Sequence, residues 1–252
     1  METGLKIKKE IFIGIVIFLV LAAAVTGGLL YNQNKKRNDL AAHIMSLGPG
    51  GPPETIEGLR TAIAAYENQI EAYVRAAAQT GVYYKILAVR LQDSGLHNDA
   101  LQAIQRALYY SPSDPTLHYM AGLSQAILAK SYNSLARADN AERERLFALA
   151  EQSYLQAVKL DDRYLKPRYG LGVLYTFELD RPEDAIPHLE RSLEISRNDV
   201  DTMFILARAF YMTDAFQKSL DLYNRIISVT KDETKKTEAR NNRQMVLEII
   251  SG

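Results

Sequence analysis

Small side chains return at near-regular intervals through most of this chain, and that recurrence restricts its fold more than any other feature. Ala88, Gly122, Gly172 and Ala207 follow one another at spacings of 34, 50 and 35. A second set, Ala100, Ala150, Ala185 and Ser219, runs at 50, 35 and 34. Four residues after each member of the second set stands a large side chain: Ile104, Tyr154, Leu189 and Tyr223. Three further on come Ala107, Ala157, Ser192 and Ile226. From residue 54 onward helix formers dominate, the apolar period is near 3.6, and no segment alternates convincingly as a strand. An all-α chain follows. A Gly or Ala on one helix leaves a notch, and a bulky residue of its antiparallel neighbour fills it. One such hairpin cannot bury its apolar face alone, so hairpins stack into a solenoid.

Turn signals separate the helices at Asp93-Ser94-Gly95, Ser111-Pro112-Ser113-Asp114-Pro115, Asp180-Arg181-Pro182 and Arg197-Asn198-Asp199. In the second, Asp114 is placed to cap a helix whose first residue is Pro115. The unit 81–114 resembles the tetratricopeptide repeat (TPR) family through Leu87-Ala88, Leu91, Gly95, Ala100, Ile104, Ala107-Leu108 and Pro112. Residues 116–162, 166–198 and 200–231 are similar to further repeats, giving four TPR-like repeats over 81–231. Tyr84, His118, Arg168 and Met203 stand where the family often has tryptophan, and a closing proline occurs only at Pro112. Residues 54–80 read as an N-terminal capping helix and residues 232–252 as a C-terminal one. The second repeat carries 16 extra residues. Segments 126–138 and 141–149 are helical in composition, with Asp139 and Glu142 spaced as a capping box, so a hairpin about two turns longer than its neighbours is expected.

Residues 1–10 form a short N-terminal tail. Residues 11–31 (IFIGIVIFLVLAAAVTGGLLY) hold no charge. A helix of that length spans roughly 30 Å, the thickness of a bilayer's hydrocarbon, so a single transmembrane helix is expected. A cleaved signal peptide is the competing reading, with Ala22-Ala23-Ala24 as its cleavage site, although the apolar run continues through Leu29, Leu30 and Tyr31. Three basic residues precede the run (Lys6, Lys8, Lys9) and three follow (Lys35, Lys36, Arg37), so the charge count sets no orientation. A bacterial inner-membrane anchor with the large domain in the periplasm is the expected arrangement, with a cytoplasmic domain as the alternative. Residues 32–53 read as a linker, because Gly48-Pro49-Gly50-Gly51-Pro52-Pro53 cannot continue a helix.

Chemistry is hard to place on this chain. Lys plus Arg and Asp plus Glu number 30 each, so no global field draws it to nucleic acid. Cysteine is absent, which removes disulfides, thiolate metal sites and thiol nucleophiles. His43, His97, His118 and His188 show no metal-ligand spacing, and no nucleophile-elbow motif occurs. His188 falls on a helix surface, and the alternating run Glu142-Arg143-Glu144-Arg145 reads as a solvated helix face. No catalytic residue, metal or cofactor is expected.

The resemblance implies instead that the first helix of each repeat lines a concave groove that receives protein partners. Carried onto this chain, the groove residues are Lys85, Val89, Gln92, Tyr119, Leu123, Ile127, Tyr169, Val173, Phe177, Phe204, Arg208 and Tyr211. Such an apolar-aromatic lining suits an amphipathic helix or an extended apolar peptide, with Tyr119, Tyr169 and Phe204 as anchors. In the other reading these residues pack against residues 54–79 or between hairpins. The Lys-to-Asn spacing of the subclass that clamps acidic chaperone tails is missing: Val89 follows Lys85, and Gly170 follows Lys166. The expected role is a membrane-tethered adaptor in assembly of an envelope complex, for example secretion machinery or a flagellar-motor periplasmic collar. A self-associating structural protein is the alternative, so a homo-oligomer stays open.

Overall fold

The computed structural model describes residue 53, residues 55–132 and residues 137–251. The apolar run 11–31 and the linker lie outside them, apart from Pro53. No helix among the described residues is long and apolar enough to cross a membrane. The chain divides between residues 73 and 74 into two units.

Among the described residues the secondary structure is helical throughout, without a strand. Helix α1 (Ile56–Asp93) opens on Thr55, whose hydroxyl accepts the Gly58 N–H at 3.0 Å. It then runs unbroken for 38 residues. The boundary expected near residue 80, between cap and first repeat, is not a break in the backbone. Gly81 costs the helix about 1 kcal/mol relative to alanine but does not end it. Its missing side chain lets Tyr110 of the next helix approach, where a Cβ would meet the tyrosine Cβ at 2.8 Å.

Within the second unit α1 ends at Asp93 and turns at Gly95, whose φ of +73° is the left-handed conformation glycine adopts freely. Helices α2 (His97–Tyr110) and α3 (Pro115–Ser131) follow, then α4 (Arg137–Leu160), α5 (Leu165–Val173), α6 (Pro182–Ile195), α7 (Val200–Met212), α8 (Phe216–Val229) and α9 (Glu233–Ser251). Asp114 caps α3 by accepting the Thr116 N–H at 2.9 Å, and Asp199 caps α7. Each helix from α2 onward packs on the next, and the first helices α3, α5 and α7 also touch in succession. That is a stack of antiparallel hairpins.

All sixteen small and large positions of the repeat pattern are buried. Two contiguous cores result. One joins Ala88, Ala103, Ile104, Ala107, Leu117, Met120 and Ala121. The other extends from Ala129 to Val246 through Tyr154, Leu189, Phe210 and Tyr223. Gly172 receives Leu189 as the notch argument requires.

The long hairpin differs in detail from expectation. Helix α3 stops at Ser131 with Tyr132 as its cap, seven residues short of the expected end at 138. Helix α4 already includes Asp139, so Asp139 does not open a helix as a capping box requires. The extra length is concentrated in α4, which has 24 residues against 14 in α6 and α8.

Candidate interaction clefts

Helix α5 ends irregularly. Directly after Val173 the chain makes a π-helical turn, Leu174–Glu178, closed by the Leu179 N–H donating to Leu174 O at 3.0 Å. A π turn holds one residue more than an α turn, so the face beyond it moves on by one position. Lys166, Tyr169, Gly170 and Val173 share one side of α5, and Leu174 carries that side into the turn. The residue that continues this side after the turn is Glu178, not Phe177.

Two clefts result. The first, about 250 Å³, lies between α3 and α5 with α4 behind it. Tyr119, Leu123, Ile127, Tyr169 and Val173 meet here, five of the twelve residues expected to line a groove. The ring of Tyr154 forms its floor, 6.1 Å from that of Tyr119. Tyr119 also meets Tyr164 edge-on at 5.5 Å, and Lys166 stands over the Tyr119 ring at 5.9 Å. At one edge Glu178 pairs with Lys130 at 3.0 Å and Arg143 at 3.5 Å. Arg143, expected on a solvated face, is half-buried and also lies over the Phe147 ring at 4.9 Å.

The second cleft has a similar volume and is shared by the π turn, α7, α8 and α9. It gathers Phe177, Phe204, Arg208 and Tyr211, with Tyr223, Met245 and Val246 from the later helices. Arg208 lies over the Tyr211 ring at 5.0 Å. Phe204 packs against Tyr223 at 6.2 Å, and Tyr119, Phe204 and Tyr211 are all partly buried against the core. These aromatics therefore pack between hairpins with one side while the other side lines a cleft.

Three of the twelve residues fall outside both clefts. Lys85 donates to Asp114 at 2.6 Å. Partial burial raises the Asp114 carboxyl, but the Lys85 ammonium and the Thr116 N–H outweigh it, and the net shift is downward. Gln92 donates to Met120 O and Ser124 Oγ, both at 2.8 Å, so it ties the first hairpin to α3. Val89 is exposed. The floor residues Phe147 and Tyr154, the charged edge at Glu178 and the contribution of α9 were not anticipated as lining. The π turn brings Glu178 there and the docking of α9 brings Met245 and Val246, while Phe147 and Tyr154 reach the first cleft from α4.

Burial raises the phenols of Tyr119, Tyr169 and Tyr223, so they remain neutral hydrogen-bonding groups at physiological pH. Tyr164 is raised to about 12, by burial first and then by Tyr119. Among the described residues no three metal-ligating side chains come together. His188 is half-buried rather than at a surface, with its ring stacked 6.0 Å from Tyr175.

The architecture is a stack of antiparallel helical hairpins with clefts between them. Its fold is that of the tetratricopeptide-repeat proteins. YrrB, a TPR protein with an unusual peptide-binding site, superimposes with a TM-score of 0.54 at 18 % identity, over 67 % of this chain and 76 % of its own. MamA from residue 41 to its end, from Desulfovibrio magneticus RS-1, gives 0.52 at 14 % identity, over 68 % and 96 %. Another MamA structure gives 0.52 at 17 % identity, over 69 % and 89 %. A scan against protein-family models and a search of curated proteins both find no match.

Proposed function

We propose that this chain is a membrane-tethered adaptor that holds an apolar segment of a partner protein in the cleft between α3 and α5. The observation that carries this is the convergence of Tyr119, Leu123, Ile127, Tyr169 and Val173 over the Tyr154 ring. A row of apolar side chains on a partner helix, at i, i+4 and i+7, fits such a trough. At roughly 25 cal/mol per Å² of apolar surface removed from water, a few aromatic anchors suffice for several kcal/mol of binding. Lys166 stands over the Tyr119 ring of this lining, so a carboxylate flanking the partner's apolar residues would meet positive charge. The solved structure of YrrB, whose fold this chain shares, has a peptide-binding site, which supports a peptide-binding role here.

The uncharged run 11–31 supports single-pass anchoring, which we place in a bacterial inner membrane with the helical domain in the periplasm. An adaptor in assembly of an envelope complex is the role that suits this arrangement.

The test is crosslinking and pulldown from native membranes, comparing wild type with the Leu123→Ala, Tyr169→Ala double variant, whose two side chains line this cleft. Specific loss of one protein from the variant supports the reading. Equal recovery of the same proteins from both overturns the cleft assignment. Protease protection in intact against permeabilised cells decides the side: a domain cut in intact cells whose outer membrane alone is opened is periplasmic.

A further inference from the structure

Helix α1 carries an apolar seam whose spacing differs from that of the repeats. Over residues 56–73 it reads Ile56, Leu59, Ile63, Tyr66, Ile70 and Tyr73, a strict alternation of three and four. This is a 3.5-residue period, which keeps one narrow line of side chains facing a second helix wound around the first. A helix lying on a broad core shows a wider, 3.6-period face instead. Five of the six seam residues are open to solvent, Ile56 72 %, Leu59 40 %, Ile63 55 %, Ile70 60 % and Tyr73 61 % exposed, and Tyr66 is half-buried. Flanking positions are small or uncharged at Ala62 and Gln69, and charged at Arg60 and Glu67.

We infer that residues 56–73 form an antiparallel coiled coil with the same segment of a second copy of this chain. Charge and volume both select that partner and that direction. Arg60 and Glu67 occupy the same heptad position one repeat apart. When two copies run in opposite directions, such positions face each other, so Arg60 of each copy meets Glu67 of the other and the pair forms twice. In a parallel pair Arg60 would face Thr55 and Glu67 would face Ala62, and neither charge would find a partner. Core layers agree. Opposite directions set Ile63 against Tyr66, Leu59 against Ile70 and Ile56 against Tyr73, so no layer holds two tyrosines. Parallel pairing would stack Tyr66 on Tyr66 and Tyr73 on Tyr73. Among the described residues Arg60 pairs with Glu57, at 4.0 Å and with both side chains well exposed, so it can turn to a partner.

Two tethered copies can meet in this way. The overlap is about 27 Å long, and the 22 residues 32–53 can extend at most roughly 70 Å.

The chain's lack of cysteine gives a direct test on full-length protein in membranes. Leu59→Cys and Ile70→Cys variants, distinguishable by size tag, are oxidised separately and after co-expression. Opposed pairing places residue 59 of one copy level with residue 70 of the other, within disulfide reach. The two copies of residue 59 then lie about 16 Å apart along the axis, beyond it. The expected result is a crosslinked mixed dimer and at least tenfold less product from either variant alone. Efficient crosslinking of Leu59→Cys with itself means parallel pairing and overturns the inference, as does no crosslink in any combination. Charge exchange supplies the second arm. Arg60→Glu or Glu67→Arg alone should cut mixed crosslinking several-fold, and the Arg60→Glu, Glu67→Arg double variant should restore it. Crosslinking insensitive to both single changes also overturns the inference.

Discussion

The ring of Tyr154 occupies the notch left by Gly122: a Cβ on that glycine would stand 2.6 Å from the tyrosine Cδ1. The same ring also meets Gly170, where an added Cβ would approach Cζ at 2.8 Å. One tyrosine on α4 therefore spaces the first helices of two successive hairpins, α3 and α5. It also floors the cleft between them. Packing and the candidate site are here the same side chain.

Gly122→Ala should destabilise the domain. Alanine is a better helix former by about 1 kcal/mol. The added methyl, however, collides with an aromatic ring already packed against Gly170, and overpacking of this kind costs about 1–3 kcal/mol. The measurement is the midpoint of denaturant unfolding, which should fall for Gly122→Ala and fall further for Gly122→Val. An unchanged or raised midpoint would show that the ring has room the structure does not grant it.

The π turn gives a prediction of opposite character. It contains one residue more than an α turn, and Phe177 is the member pointing to solvent, 51 % exposed. Deleting Phe177 should let Leu179 bond as in a regular helix, with a loss of no more than about 2 kcal/mol. Deleting Leu171, fully buried one turn earlier, should abolish the hairpin, because it carries Gly172 out of register with Leu189. Circular dichroism with thermal unfolding of both deletions checks the contrast. Equal damage from the two would mean that Phe177 is not a spacer.

This turn also marks where reading the sequence reached its limit. Tyr169, Val173 and Phe177 recur every four residues and look like one stripe, yet the structure sends Phe177 to a different cleft from the other two. No local signature distinguishes a π turn from an α turn, since both use ordinary helix formers. Small-to-large nesting was legible because it repeats: Ala100 with Ile104 and Ala185 with Leu189 mark the same buried positions in different hairpins. Lys85 and Gln92 show a related limit. Periodicity gives the side of α1 they occupy but not that Asp114, Met120 and Ser124 satisfy their polar groups there. The heptad spacing of residues 56–73 lies in the sequence, but only the structure shows how much of that seam faces solvent.

His188 predicts a pH effect. Burial first, and the nearby Arg168 guanidinium second, lower its pKa below the usual imidazole value, against a smaller opposing pull from Asp184. Its Nδ1 is buried with no partner among the described residues, and Tyr175 covers the ring. The folded chain therefore holds the neutral imidazole, while the unfolded chain takes up a proton near pH 6.5. Between those two pKa values the unfolded state binds more protons, so stability rises with pH there. It is fully present above about pH 6.5 and declines as the pH falls through the folded value. Unfolding midpoints at pH 7.5, 6 and 5 should drop for wild type and drop less for His188→Gln. Identical slopes would mean that His188 does not titrate differently in the two states. Carboxylates such as Asp162, lowered first by Arg191, act only in a more acidic range and leave this window to the histidine.

Glu178 separates stability from binding. It is drawn to the edge of the first cleft by the π turn, with only 13 % of its side chain exposed, and it joins Lys130 of α3 to Arg143 of α4. Glu178→Gln keeps the shape but removes the charge that both cations face. The domain should lose about 1 kcal/mol, since the pair is neither fully exposed nor fully buried. That loss should shrink in 0.5 M salt, where the surviving charges are screened. At the cleft the sign reverses: Lys130 and Arg143 are freed, and their field adds to that of Lys166. A synthetic amphipathic helix with glutamates flanking its leucines should therefore bind Glu178→Gln more tightly than wild type, by several-fold at low ionic strength. Its lysine-flanked counterpart should bind more weakly. Titration calorimetry with both peptides decides the matter. Equal changes for the acidic and basic peptides would show that bound segments do not lie near Glu178, and the cleft between α3 and α5 would then lose its claim to be the docking site.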